Sequence, residues 1–114
     1  MDWMLTADLV FSSRAAAAAQ AEGRTLGIAA STEQLLESAA SQPAQLVILD
    51  LTTPGCDTAR IVRQMHQQQP PAHIVAYAPH VMTAALQQAR QAGCDQVLTR
   101  GQFDKRLNQL LQSV

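Results

Sequence analysis

Neither sign of charge is in surplus in this sequence: eight Lys and Arg stand against nine Asp and Glu, a formal net charge of −1. A nucleic-acid-binding domain carries a basic excess gathered into a patch. Here the arginines are scattered and Lys105 is the only lysine, so no nucleic-acid partner is expected. No apolar run approaches the roughly 20 residues that a membrane-spanning helix needs, so no membrane partner is expected either. The opening Met1-Asp2-Trp3-Met4-Leu5-Thr6-Ala7-Asp8 is acidic, with no basic leader, and a cytoplasmic location is the expectation. The two cysteines, Cys56 and Cys94, lack any metal or redox spacing. They read as free thiols in a reducing compartment, a disulfide being the lesser alternative. Also missing are a dinucleotide glycine fingerprint, a P-loop and a nucleophile elbow. Thr52-Thr53-Pro54-Gly55 is turn chemistry, too short and too poor in glycine to cradle a phosphate.

What the sequence does have is enough apolar residue for a core: 114 residues, 47% of them hydrophobic. That suits one domain over residues 1–114 and argues against disorder. Short apolar runs alternate with stretches of helical period. The runs predict strands over Trp3 to Ala7, Thr25 to Ala30, Leu46 to Asp50, His73 to Ala78 and Gln96 to Thr99. The periodic stretches predict helices over Leu9 to Glu22, Thr32 to Ser41, Thr58 to Gln68, Val81 to Gln91 and Phe103 to Gln112. A β-α unit repeated in this way builds a parallel sheet with helices on both faces, a three-layer doubly wound α/β fold.

Local signals support these boundaries. Ser31 and Gln34 have capping-box spacing just ahead of Leu35 and Leu36. Gly23 and Gly93 follow the first and fourth helices, where a left-handed residue commonly closes a helix. Pro70-Pro71 stops the third helix, and Pro79 stands where the fourth is expected to begin. Phe103, Leu107, Leu110, Leu111 and Val114 form one apolar stripe on the last.

The segment Leu46-Val47-Ile48-Leu49-Asp50 draws attention first. Four apolar residues run into one aspartate, and turn residues follow at once. A strand buried on both faces has this composition and leaves its carboxylate at the C-terminal sheet edge. Ligands and reactive groups collect at that edge in open α/β sheets.

With Asp50, Pro54-Gly55, Asp57 and Ala92-Gly93-Cys94-Asp95 in view, the chain resembles a CheY-like receiver domain of two-component response regulators. The resemblance implies a flavodoxin-like (βα)5 sheet of order 2-1-3-4-5, with Asp50 as phosphoacceptor. It implies Mg²⁺ held near Asp8, Asp50 and Thr52, and Arg100 in the place of the family's lysine. Histidine kinases, phosphotransfer proteins or effectors would be the partners, met on the first helix around Ala15 to Ala19 and on Arg100 to Leu111. A two-fold homodimer through the last two helices is a variant of the same idea.

The site departs from the family pattern. Ala7-Asp8 supplies at most one carboxylate of the usual acidic pair. Ala78 stands for the switch hydroxyl, Val97 for the switch aromatic, Arg100 for the lysine and Gly101 for the proline after it. Arginine keeps the charge of lysine without its compact ammonium. The expectation is therefore a degenerate pseudo-receiver, not an enzyme, acting by protein–protein interaction. The alternatives are an active phosphoacceptor modified on Asp50 with Mg²⁺, and a small-ligand binder or enzyme on a flavodoxin-like fold. Plainer roles stand beside these: Asp8 as cap of the first helix, Arg100 as ion-pair partner of Asp8 or Asp50, and Cys56 as a quiet thiol. His80 shares the sheet edge and would complete a transition-metal set with Asp8, Asp50 and Cys56, or is simply an exposed loop histidine.

Overall fold

The computed structural model describes all 114 residues. The elements run β1 (Asp2–Leu5), α1 (Leu9–Ala21), β2 (Leu26–Ala29), α2 (Thr32–Ser41), β3 (Leu46–Asp50), α3 (Thr58–Gln67), β4 (His73–Ala78), α4 (Thr83–Ala92), β5 (Gln96–Thr99) and α5 (Arg100–Ser113). All five strands are parallel, in the order β2-β1-β3-β4-β5. This is the predicted flavodoxin-like sheet. The chain reverses direction across it between β1 and β3, which opens a crevice at their C-terminal ends.

Strand alternation sorts the core into two halves. On one side Leu5, Val47, Leu49, Ile74 and Ala76 pack against Leu35 and Leu36 of α2, Ile61, Val62 and Met65 of α3 and Ala89 of α4. On the other, Met4, Leu46, Ile48, Val75 and Tyr77 pack against Phe11, Ala15 and Ala19 of α1 and Phe103, Leu107, Leu110 and Leu111 of α5. The central strand β3 is buried along its whole length. Alanines at positions 15 and 19 let α1 lie close to the sheet, so the rest of the alanine run is a helix former on the outer turns.

Three boundaries differ from the sequence prediction by more than a residue, and each has a local cause. β1 ends at Leu5 because Thr6 turns its hydroxyl to accept from the Asp8 backbone N–H at 3.1 Å, opening a turn. The fourth helix begins at Thr83, because the Met82 N–H closes a turn onto the Pro79 carbonyl at 2.9 Å. β2, at Leu26–Ala29, is shorter than predicted by a single residue at each end. The fifth helix begins three residues early, at Arg100, with no loop after β5: Thr99 and Gln102 form a reciprocal capping box. At Ser31 only half of the expected box forms, since Gln34 Oε1 accepts from Ala30 N–H instead. Gly23 and Gly93 are both left-handed, as expected of helix closers.

Candidate functional site

Asp50 ends β3 at the sheet edge and is only 5% exposed. Its position in the strand places it on the α1/α5 side, since Leu46 and Ile48 belong to that half of the core. Both carboxylate oxygens hold protein donors. Thr6 Oγ1 donates to Oδ2 at 2.8 Å. Thr52 donates twice to Oδ1, from its backbone N–H at 3.0 Å and from its hydroxyl at 2.6 Å.

The loop after Asp50 is held in place by the neighbouring helix. Thr32 Oγ1 donates to the Gly55 carbonyl at 2.9 Å and accepts from Asp57 N–H at 3.0 Å. Gly55 takes a φ of 72°, a conformation glycine enters without a Cβ penalty. Asp57 then caps α3 through the N–H of Arg60 at 3.2 Å.

Asp8 lies near Asp50 in sequence logic but is committed elsewhere. Its Oδ1 accepts from the Phe11 N–H at 2.9 Å, capping α1, and its Oδ2 meets Arg100 Nη2 at 2.8 Å. The Phe11 N–H first, and Arg100 second, hold its carboxyl below the usual carboxylate range. Arg100, as first residue of α5, turns across to Asp8, with its guanidinium carbon 5.1 Å from the Phe11 ring centre. Of the two partners expected for Arg100, the structure selects Asp8.

A cavity of about 870 Å³ opens on this side, between the first turns of α1 and α5 and the loop after β4. Val10, Phe11 and Arg14 line one wall; Thr99, Arg100 and Asp104 line another; Pro79 and His80 close it. Arg14 pairs with Asp104 at 2.5 Å, so the cavity carries two ion pairs and no net charge. The large apolar side chains that face solvent gather at the same edge: Leu9 is 79% exposed, Val10 77% and Val81 72%.

The other expected positions are scattered. Ala78 is fully buried at the end of β4, and Val97 packs on the α2–α4 side, away from Asp50. The transition-metal grouping is corrected: no three His, Cys, Asp or Glu side chains converge on a metal position. His80 lines the cavity with Asp8, whereas Cys56 belongs to a separate hollow beside α3 and α4. Both thiols are free, and burial raises each, Cys94 to about 11.

Two residues that carry the site went unread in the sequence, Thr6 and Tyr77. Tyr77 pairs with Asp50 in the β3–β4 register and is 2% exposed. Its ring stacks on Phe103 at 4.3 Å with an interplanar angle of 3°, and Phe11 lies tilted against both. The strand pairing holds their signal: once β1, β3 and β4 are aligned, residues 6, 50 and 77 fall side by side on one face.

The residues present do not fit a Mg²⁺ ion as arranged. Such an ion wants several oxygen ligands with little competition. Here the Asp50 oxygens and both Asp8 oxygens already accept from protein donors.

A parallel doubly wound sheet with a buried carboxylate at the C-terminal end of its central strand is an arrangement that serves many unrelated functions. The match of residues 8–112 to the model of the response regulator receiver domain family makes the assignment specific: the chain belongs to that family. Among solved structures, it is similar over 100% of both chains to the receiver domain of NtrX from Brucella abortus, at 17% identity and a TM-score of 0.81. The receiver domain of sensor histidine kinase PA1611 from Pseudomonas aeruginosa PAO1, with magnesium in its active-site cleft, is similar over 98% of this chain and 97% of that one, at 18% identity and a TM-score of 0.75. The beryllofluoride-activated NtrC4 receiver dimer matches over 97% of this chain and 95% of that one, at 13% identity and a TM-score of 0.76. No curated protein matches the sequence. No helix is long and apolar enough to cross a membrane.

Proposed function

We propose that this receiver domain is a pseudo-receiver, a constitutive docking module in two-component signalling in which Asp50 has become a structural carboxylate. The observation that carries the reading is the double commitment of Asp8. A phosphoacceptor site needs acidic groups free to hold the ion that neutralises phosphoryl oxygens. Asp8 instead caps α1 and binds Arg100, the residue in the lysine's place. Asp50 itself is shielded by Thr6 and Thr52. Mg²⁺ plays no part in this reading.

The docking surface is the cavity between α1 and α5, lined by the exposed Val10, with the exposed Leu9 and Val81 each next in sequence to a lining residue. Its charges are satisfied within the chain, so the partner that fits is a protein presenting an apolar helix face. Self-association through α4 and α5 is the variant with a second copy.

The test is intact mass after incubation with Mg²⁺ and acetyl phosphate, read promptly, with Asp50→Asn as control. No adduct on folded protein is expected. A phosphoryl adduct absent from the control overturns the reading and makes Asp50 an active phosphoacceptor. The cavity volume also favours a second reading, a small-ligand site, since pockets of about 300–1,000 Å³ suit such ligands. A ligand co-purifying in native mass spectrometry would carry that reading instead.

A further inference from the structure

Asp8, Arg14, Arg100 and Asp104 all line the cavity between α1 and α5, and each already has its partner. Arg14 pairs with Asp104 at 2.5 Å and Arg100 with Asp8 at 2.8 Å, and both pairs join one helix to the other. A charged group entering the cavity would have to break one of these pairs or go unpaired, and either costs free energy. The cavity therefore selects an uncharged group.

Its wall is more than apolar. Both guanidiniums lie over the ring of Phe11, the Arg100 carbon 5.1 Å and the Arg14 carbon 5.6 Å from its centre. Both are within cation–π reach. Phe11 borders the cavity yet is only 6% exposed, so what the cavity presents is the guanidiniums above the ring. Their N–H groups bond the carboxylates, while the side chains of Arg14 and Arg100 stay 57% and 49% exposed. A guanidinium whose edge is engaged still offers a flat, weakly hydrated face, and aromatic rings stack on it. Gly101 follows Arg100 with nothing within 4 Å of where a Cβ would stand, so the wall there is open.

We propose that this cavity is a socket for one uncharged aromatic side chain of a different protein, stacked on the outer sides of Arg14 and Arg100. The proposal rests on the docking reading of this face and names the group that docks. The entering ring would add to the cluster of Phe11, Tyr77 and Phe103 across the two guanidiniums. An aromatic anchor in a pocket is where the energy of an interface concentrates. A second copy of this chain does not supply that anchor. The chain has two phenylalanines, one tyrosine and one tryptophan. Phe11, Phe103 and Tyr77 are buried. Trp3 packs over Gly27 on the α2 side of the sheet, with Nε1 donating to the Gln42 carbonyl at 2.9 Å. Val10, 77% exposed on the same wall, suits an aliphatic neighbour of the incoming ring.

The experiment is a titration of the ¹⁵N-labelled chain with N-acetyl-tryptophanamide, an uncharged indole, followed in amide and arginine side-chain NMR spectra. N-acetyl-leucinamide and inorganic phosphate are titrated in parallel. The tryptophan amide should give saturable shifts at Val10, Gly101 and the Nε–H signals of Arg14 and Arg100, with an affinity roughly threefold or more above that of the leucine amide. Arg14→Lys keeps the charge opposite Asp104 and removes the flat face. It should weaken the tryptophan amide by roughly threefold and leave the leucine amide unchanged. The comparison of the three probes on the wild type stands without that variant. Absence of saturation, an equal response to the leucine amide, or undiminished binding by Arg14→Lys overturns the proposal. Saturable phosphate shifts at the same signals also overturn it and make the cavity an anion site. No phosphodonor is present, so an acetyl-phosphate adduct on Asp50 leaves the socket standing, and a silent cavity leaves the result at Asp50 standing.

Discussion

Asp8 and Arg100 hold each other across 92 positions of sequence, with Asp8 Oδ2 at 2.8 Å from Arg100 Nη2. Asp8 also caps α1, so one carboxylate joins the first turns of α1 and α5 and sets the mouth of the cavity between them.

Replacing Asp8 by asparagine should keep the cap and lose the ion pair. The folded carboxyl is held below its ordinary value of 3.8, so its stabilising effect is present above that pH and lost as pH falls through the lowered value. The difference in melting temperature between wild type and Asp8→Asn should therefore shrink as a pH series is taken from neutral into the acid range below 3.8. A difference that grows on acidification would contradict the assignment.

The shortage of free acidic oxygens that makes a poor Mg²⁺ site is reversible. Ala7 is exposed beside Asp8, so Ala7→Asp with Arg100→Lys adds a carboxylate and withdraws the forked guanidinium. Calorimetric titration with Mg²⁺ should show binding in the double variant and no heat in the wild type. An equally silent double variant would mean that Asp50, locked by Thr6 and Thr52, is the obstacle.

At the opposite end of the sheet, Arg24 grips Asp2 with Nε at 2.6 Å and Nη2 at 2.9 Å, and it donates to the Val114 carbonyl. Asp2 is 2% exposed. Arg24→Ala strands that buried carboxylate, and losses of about 3 kcal/mol are typical when one partner of a buried pair is removed. Urea denaturation should show a loss of this size, whereas breaking the exposed Arg60–Glu33 pair should cost little.

Gly27 sits under the Trp3 indole. A Cβ there would come within 2.1 Å of one ring carbon and 2.5 Å of another. Gly27→Ala should push the ring out, break the 2.9 Å bond from Trp3 Nε1 to the Gln42 carbonyl, and cost roughly 1–3 kcal/mol from overpacking. Trp3 is the only tryptophan, so a changed emission maximum alongside the lowered midpoint would check the mechanism.

Much of this architecture was legible because its signals are local. The run Leu46 to Asp50 is apolar for want of any solvent face, and Gly93 closes α4 because a left-handed residue was needed there. The β5–α5 junction was equally local but went unread: Thr99 and Gln102 carry the spacing recognised at Ser31 and Gln34, hidden because Thr99 also ends a strand. The site was legible only in part. Asp50 announces itself as a carboxylate after four apolar residues. Thr6 and Tyr77 do not, since an ordinary threonine and a core tyrosine gain their roles only when three strands are set in register. Arg100 was legible as a charge near the site. Its direction depended on α5 starting at that very residue.

The junction where Thr99 ends β5 and caps α5 has a mechanical meaning. Connections between a strand and a helix normally leave a few residues of slack that absorb small displacements. Here the last hydrogen-bonded strand residue is also the anchor of the helix, so β5 cannot slip without uncapping α5. The sheet edge carrying Arg100 is thus a stiff corner. It favours a surface that keeps one shape and is recognised in it, and it leaves any adjustment to side chains turning in place.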